Sequence, residues 1–535
     1  MKSFKTKRFA SLTRQGRFQF LTVIVILGAG VLLSMLFGLR GKSPDDIEDL
    51  HQQMQADWLF EKNDIQSRAD CVRLLREARQ LRANYGGSVL EEDPGEWISV
   101  AYDETRLAGV IRPMELRALK TYLRVIRPGS SPRESSLATM AACTEGDPAS
   151  GLIASMEGDL LALMEKPDEA VAAYQRGATD AETGHDSKIR LMLLCVRRHW
   201  HERLGEFYQQ AGWREIVRNS SLMEWDDSHA IMVAAEDWAG LLWHTTSSLS
   251  HSLKSPAWLA VALGCGIVWF LLLHIAAGIK LQRWWVGGAA FLLGVASIPL
   301  TLFFITLQHH YFDIERAGGD HRSIFYCISG IGFREEIAKL ICFVPLLPFL
   351  RGQTTPVHAL VAASCVGLGF AIEENISYFA STSGTSVFGR FVTANFIHIS
   401  LTGLSGLALW LAIKSPAKWL QHFVVVFVGA VLFHGLWDWS PGDARISGDY
   451  AWLLYAGFIG LAYYYFGELR RFRGIVPSVL SPAWIFLCGI SLIMVLVMCL
   501  TSSAVGFRYG FVLSMQGALG LFVIGAAMYY QLRRD

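Results

Sequence analysis

The hydrophobic residues of this chain are gathered into long runs. One run occupies about residues 18–39, and nine more follow residue 255. The nine lie at about 257–279, 285–307, 325–349, 357–380, 390–413, 419–437, 451–468, 480–501 and 508–530. Because about 20 apolar residues in an α-helix cross the hydrocarbon core of a bilayer, the pattern predicts ten membrane spans. The first run is too long for a cleaved signal peptide, so we interpret it as an uncleaved anchor.

Residues 41–255 follow a different pattern, in which charged residues are frequent. Apolar residues recur at three- and four-residue spacing, as in Val72, Leu75 and Ala78, which is typical of α-helices. The stretch from Gly158 to Ala178 resembles a tetratricopeptide helix pair, although no second repeat follows at a period of about 34 residues. The sequence therefore predicts an all-α, polytopic membrane bundle with an inserted helical domain, either tetratricopeptide-like or an irregular bundle.

Composition and charge support a membrane protein and predict its orientation. The 535 residues are 52% hydrophobic with a formal net charge of +1, and the mean hydropathy is +0.32. This apolar content exceeds that of soluble domains, and the charge gives no reason to expect a nucleic-acid partner. Basic residues flank alternate ends of the predicted spans: Lys280, Arg283, Arg351, Lys414, Lys418, Arg470, Arg471, Arg473, Arg533 and Arg534. The positive-inside rule then predicts cytoplasmic termini and an extracytoplasmic segment 41–255.

Several ionisable side chains interrupt four of the apolar runs. They are Glu335, Glu336, Glu374, His398 and His434. A charged group near the bilayer centre costs roughly 2.5–3.5 kcal/mol, so such groups usually line a protein interior or a wet cavity. Lys339 lies four residues after Glu335 on one helix face and can offset part of that burial cost. Asn375, Arg390 and Asp438 lie close by in sequence and could support the site; Asp438 is one turn after His434.

The depths of these groups agree. Counted from the cytoplasmic flank of its own span, each of Glu336, Glu374, His398 and His434 lies about 15–18 residues in, or roughly 22–27 Å at 1.5 Å per residue. In a core about 30 Å thick this is the outer half. We therefore predict one shared site near the extracytoplasmic face.

Four motifs in order resemble the PrsW-type intramembrane proteases, which are related to the CAAX prenyl protease superfamily. They are the Glu-Glu-x-x-Lys of Glu335 to Lys339, the Gly-Phe-Ala-x-x-Glu-Asn of Gly369 to Asn375, the segment from Arg390 to His398, and His434. The resemblance covers about residues 257–440. It implies a membrane endopeptidase that hydrolyses a membrane-anchored protein near the extracytoplasmic face, as in site-one cleavage of regulated proteolysis.

The resemblance also implies roles for single residues. Glu335 and Glu336 would be the essential pair, one of them serving as general base to a water. Glu374, His398 and His434 would either hold a divalent metal such as zinc or act without one by positioning water and stabilising the oxyanion. The residues leave these two mechanisms open, since no His-Glu-x-x-His helix is present.

The predicted regions are a basic tail and anchor (1–40), an extracytoplasmic helical domain (41–255), a protease core (256–440) and a three-span extension (441–535). We expect the helical domain to screen or recruit substrate. A non-catalytic scaffold that binds partner helices through the same polar groups is the alternative function. A transporter is disfavoured, because the sequence shows no inverted repeat.

Overall fold

A computed structural model of the chain describes most of its residues. These are 9–39, 109–126, 133–218, 225–247, 255–312, 324–351, 355–382, 386–439, 451–473, 480–519 and 522–534, with the single positions 68, 71, 72, 75, 79, 253 and 384. The start of the predicted basic tail and most of the first third of the predicted 41–255 domain lie outside the described residues. The chain divides into a membrane unit, Met1–Pro44 with Thr245–Asp535, and a helical unit, Asp45–His244.

Every regular element among these residues is helical, which confirms the all-α prediction. In chain order the α-helices are α1 (Gly16–Gly38), α2 (Pro113–Val125), α3 (Glu134–Gly146), α4 (Gly151–Leu163), α5 (Pro167–Gly177), α6 (Gly184–Arg197), α7 (His201–Tyr208), α8 (Trp213–Arg218), α9 (Trp225–Ala234), α10 (Trp238–Ser247), α11 (Pro256–Ala276), α12 (Trp284–Phe312), α13 (Phe333–Phe343), α14 (Leu347–Arg351), α15 (Val357–Ser381), α16 (Val387–Val392), α17 (Ala394–Lys414), α18 (Pro416–Trp439), α19 (Ala451–Arg473), α20 (Pro482–Val505), α21 (Phe507–Leu519) and α22 (Phe522–Arg533). Segments of other helix types are the 3₁₀ turns Leu281–Arg283 and Val344–Leu346 and the π-helix Tyr326–Gly332.

Seven helical stretches in the described part of the chain are long and apolar enough to cross a membrane. They are Gly16–Gly38, Pro256–Ala276, Leu281–Gln308, Val357–Ala380, Val387–Lys414, Pro416–Trp439 and Pro482–Ser503. This finding indicates a multi-pass membrane protein but does not confirm ten spans. The run at 325–349 is divided among the π-helix, α13, a 3₁₀ turn and α14, and the run at 508–530 between α21 and α22. The run at 451–468 belongs to the continuous helix α19, which contains several tyrosines.

Helices α15 and α17 form the centre of the membrane unit. In the most apolar window of each of these two spans, 83% of the residues are buried inside the protein, against 11% in α1. They pack against each other, with α11 and α12 against α15 and α18 against α17. At Gly367 a Cβ atom would lie 2.2 Å from the main-chain oxygen of His398. Only glycine therefore allows α15 and α17 to approach this closely.

The helical unit is organised around a buried ionic network. The Arg79 guanidinium lies 2.6 Å from Asp159 and 2.9 Å from Asp186, and Arg190 lies 3.0 Å from Asp159. Burial alone would raise the pKa of the Asp159 carboxyl, but Arg190 and Arg79 together lower it below its usual range. The network joins α4 to α6, so ion pairing contributes to the packing of these helices.

The suggested tetratricopeptide pair corresponds to α4 and α5. These two helices pack together, with Gly158 lying directly against the Tyr174 ring. A packed pair alone does not make a repeat array, because stacked repeats are needed to bury a continuous core. The tetratricopeptide assignment is not confirmed and stays a prediction.

Candidate active site

A change of helix type precedes the adjacent glutamates. The π-helix Tyr326–Gly332 leads directly into α13, whose first turn carries Glu335 and Glu336. A Cβ at Gly332 would lie 2.5 Å from the main-chain oxygen of Val431 in α18. The two backbones can touch here because no side chain separates them, which brings the start of α13 against α18. Such π-helical turns are frequent at functional sites.

Lys339 is the cation at the centre of the polar cluster. Its Nζ lies 2.9 Å from Glu336 Oε1 and 3.4 Å from Glu335 Oε2. The same atom lies 2.9 Å from His398 Nδ1 and 4.0 Å from the centroid of the Phe370 ring. Lys339 and Glu336 are both fully buried. One ammonium group thus connects side chains of α13, α15 and α17, and each contact offsets part of the cost of burying its charge.

His434 of α18 meets both glutamates. Its Nδ1 lies 2.8 Å from Glu336 Oε1, while its Nε2 lies 3.4 Å from Glu335 Oε2 and 3.5 Å from Asp438 Oδ2. The ionised carboxylate of Glu336 can only accept, so Nδ1 of His434 donates. The hydroxyl of Thr402 donates to the other Glu336 oxygen at 3.2 Å. Glu336 is thereby enclosed by donors and fixes the ring of His434, with Nε2 directed towards Glu335 and Asp438.

The contacts of His398 define its tautomer. An ammonium group has no acceptor, so Nδ1 of His398 accepts from Lys339. The ring proton therefore sits on Nε2, which donates to Glu374 Oε2 at 3.1 Å. In this arrangement His398 is a neutral imidazole held at both ring nitrogens.

Arg390 holds Glu374 and is itself held by a pair of amides. Nη2 of Arg390 donates to Glu374 Oε2 at 2.7 Å, and its Nε donates to Asn375 Oδ1. The amide of Asn375 donates in turn to Asn395 Oδ1 at 2.7 Å. The guanidinium also stacks over the Tyr378 ring at 3.7 Å from its centroid. Glu374 is therefore held by Arg390 of α16 and His398 of α17, and Asn375 and Tyr378 of α15 fix the position of Arg390.

The charges of the described cluster do not balance. Four carboxylates (Glu335, Glu336, Glu374 and Asp438) face two cations (Lys339 and Arg390). If His434 were neutral, its Nε2 lone pair would point towards the Glu335 and Asp438 carboxylates. A proton or a metal cation at this point removes the repulsion. The arrangement thus favours an additional positive charge beside His434 Nε2.

One group of side chains fits a divalent metal. Glu335, His398 and His434 each offer a ligand atom, and these atoms lie within 4.8 Å of one another. Two imidazoles and one carboxylate are a known ligand set of catalytic zinc, and the surplus of carboxylates suits a cation. His398 would have to exchange one of its two hydrogen bonds for the metal. This group contains Glu335, whereas the metal set expected from the sequence has Glu374, which instead accepts hydrogen bonds from Arg390 and His398.

The structure brings together all the residues singled out from the sequence. Glu335, Glu336, Lys339, Glu374, Asn375, Arg390, His398, His434 and Asp438 form one connected set of contacts. Sequence reasoning missed Thr402 and Asn395, because neutral polar residues are ordinary in membrane helices. Their spacing was the available signal: Asn395, His398 and Thr402 lie at intervals of three and four residues and so share one helix face.

Comparison with known proteins agrees with this geometry. Residues 282–466 match a protein family that is described as "PrsW family intramembrane metalloprotease". No curated protein and no solved structure matches the chain. The matched region includes every residue of the polar cluster, which confirms the family resemblance for this part of the chain and supports a membrane protease.

Proposed function

We propose, from the match of residues 282–466 to the PrsW family intramembrane metalloproteases, that the chain hydrolyses peptide bonds of a membrane-anchored protein. The observation that carries the proposal is the buried acidic and imidazole cluster shared by α13, α15, α17 and α18. Buried charge in a membrane bundle is expensive and usually functional.

We assign the reacting water to Glu335 rather than to Glu336. The Glu335 side chain keeps 10% exposure and contacts His434 Nε2, whereas the Glu336 side chain is fully buried. In hydrolysis the water oxygen bonds to the scissile carbonyl carbon, and its proton passes to the Glu335 carboxylate. The proton then moves to the amide nitrogen as the C–N bond breaks. Glu336 acts as a positioning residue for His434 and Lys339.

Glu335, His398 and His434 are also the residues that would hold a divalent metal. When bound, such an ion would lower the pKa of a water and polarise the scissile carbonyl. Asp438 would then be the proton acceptor: its side chain is 31% exposed and lies 3.5 Å from His434 Nε2. The two arrangements make different demands on Asp438, which allows an experiment to separate them.

The proposed orientation places both termini in the cytoplasm and residues 41–255 outside. The alternating basic flanks support it. The site then acts near the extracytoplasmic face, where site-one cleavage would release an external domain of the substrate.

The test is cleavage of membrane-anchored candidate proteins by the purified full chain. We expect Glu335→Gln to lower kcat by at least about 100-fold, the usual effect of losing a general base. Glu468→Gln is the matched control, because Glu468 is a partly buried glutamate of α19 that pairs with Arg471 outside the cluster. The scaffold function would be favoured if cleavage were equal in wild type, Glu335→Gln, Glu336→Gln and His398→Ala, because the cluster would then not be the source of the activity.

Metal dependence is measured in the same assay with chelator and by determination of bound metal. Loss of activity with chelator, its return with zinc, and a comparable loss in Asp438→Asn support the metal arrangement. Activity that resists chelator and tolerates Asp438→Asn supports Glu335 as the base.

A further inference from the structure

A cavity of the membrane unit is lined by residues outside the polar cluster. It measures about 230 Å³, and its wall includes His274, Arg283, Trp285, Gly287, Phe349 and His358. We call it the His274 cavity. It lies where α11 ends and where α12 and α15 begin. None of its lining residues takes part in the candidate active site.

A buried imidazole forms part of the wall. His274 is 1% exposed, and its Nδ1 donates to the main-chain oxygen of Phe270 at 2.9 Å. Its ring packs against Phe270 and Trp284, with centroids 4.1 and 5.1 Å away. Because Nδ1 carries the proton, Nε2 is free to accept, and it has no hydrogen-bond partner among the described residues. Gly287 lies against this nitrogen, which a side chain at that position would collide with.

The cavity is electropositive. Arg283 is exposed and immediately precedes α12, and His358 lies in the first turn of α15. Both helices direct the positive ends of their dipoles to this region, the end of α11 offsets part of this, and the Arg283 guanidinium adds a full positive charge. The described residues that line the cavity include neither Asp nor Glu. An anion is the ligand that this environment favours.

Two exposed aromatic residues belong to the wall of the cavity. Trp285 and Phe349 are each 59% exposed, and their rings meet edge to face at 6.0 Å. Tryptophan at the end of a span is typical of the membrane interface. A basic interior with aromatic residues at its entrance suits an anionic amphiphile better than a soluble anion.

We infer that the His274 cavity binds the headgroup of an anionic glycerophospholipid. Arg283 pairs with the phosphate, the starts of α12 and α15 lie beside it, and Nε2 of His274 accepts a hydrogen bond from a headgroup hydroxyl. The acyl chains pass along Trp285 and Phe349. Basic pockets between membrane helices on the cytoplasmic side are a general form of lipid recognition.

The test titrates the purified full chain with phosphatidylglycerol and with phosphatidylcholine of the same acyl chains, and counts bound lipid by native mass spectrometry. Wild type is expected to bind phosphatidylglycerol more tightly than phosphatidylcholine. Arg283→Gln should lower this affinity ratio about fivefold. Lys418→Gln is the matched control: Lys418 is an exposed basic residue at the start of α18 that does not line the cavity. Preserved preference in Arg283→Gln, or equal loss in Lys418→Gln, overturns the inference.

Two further arms identify the ligand. His274→Phe keeps an aromatic ring at this position but removes Nε2. It should weaken the binding of phosphatidylglycerol and leave the binding of phosphatidic acid, which lacks the glycerol hydroxyls of the headgroup, unchanged. Equal effects on the two lipids would contradict the assigned hydrogen bond. Glycerol phosphate, added at the same concentration as phosphatidylglycerol, should not displace the bound phosphatidylglycerol. Complete displacement would show a site for soluble phosphate esters and remove the lipid assignment.

Discussion

At the residue scale, Lys339 organises the candidate site. Its three donor hydrogens are directed to Glu335, Glu336 and His398, and Phe370 covers the ammonium. This explains how two adjacent glutamates remain inside an apolar bundle. Lys339 also decides which nitrogen of His398 carries the proton, and so how His398 faces Glu374.

Removing this cation should damage both stability and activity. Lys339→Met leaves two carboxylates without their ammonium partner, and breaking a buried pair in this way costs roughly 3–5 kcal/mol. We expect a clear fall in melting temperature and loss of substrate cleavage. The control is Lys414→Met, because Lys414 lies at the exposed end of α17 and contacts the Trp410 ring. Unchanged thermal stability of Lys339→Met would contradict the central role of Lys339.

At the element scale, close backbone contacts determine which side chains meet. Gly367 lets α15 lie against the carbonyl of His398, and Gly332 lets the start of α13 lie against α18. The carboxylates of α13 and α15 therefore contact the imidazoles of α18 and α17 directly.

A methyl group at Gly367 should separate α15 from α17. The added Cβ would meet a main-chain atom, which cannot rotate away. Gly367→Ala should therefore shift His398 and lower kcat. Gly429→Ala provides the comparison, because no atom lies within 4 Å of a Cβ at Gly429. Cleavage rates that are the same in both variants would show that this contact does not position the site.

The ion network of the helical unit should make its stability depend on pH. The pKa of Asp159 is lower in the folded protein than the unfolded value of about 3.9. Its contribution is then present above about pH 4 and is lost as pH falls towards the folded pKa. Hydrogen exchange of the intact protein, corrected for intrinsic rates, should show α4 and α6 opening below about pH 4. Protection that is constant from pH 6 to pH 3 would argue against this linkage.

At the scale of the whole molecule, the distribution of basic residues predicts orientation. Alkaline phosphatase fused after residue 250 should be active, and the same enzyme fused after residue 280 should be inactive, because the positive-inside rule retains Lys280 and Arg283 in the cytoplasm. A fluorescent protein at the carboxyl terminus should fluoresce. The opposite activities would reverse the proposed topology and place the site near the cytoplasmic face.

Local patterns of the sequence were sufficient for the helical class, the membrane location and the residues of the cluster. Runs of apolar residues, and charges within them, can be recognised without knowledge of neighbours in space. The same patterns gave no sign of changes in helix type: residues 325–349 have the hydropathy of a span, and they form a π-helix, α13, a 3₁₀ turn and α14 in direct succession. Hydropathy responds to composition and not to the hydrogen-bond type of a helix.

Only the tertiary structure decided which atoms meet. The sequence grouped Glu374 with both histidines as metal ligands. In the structure the helix rotations bring Glu335 to His398 and His434, and Glu374 accepts hydrogen bonds from Arg390 and His398. Nothing in one span's sequence specifies its rotation or its neighbours, because lipid and apolar protein surfaces attract it almost equally. Steric fit at small residues such as Gly367 resolves that ambiguity, and it does so between segments far apart in the chain.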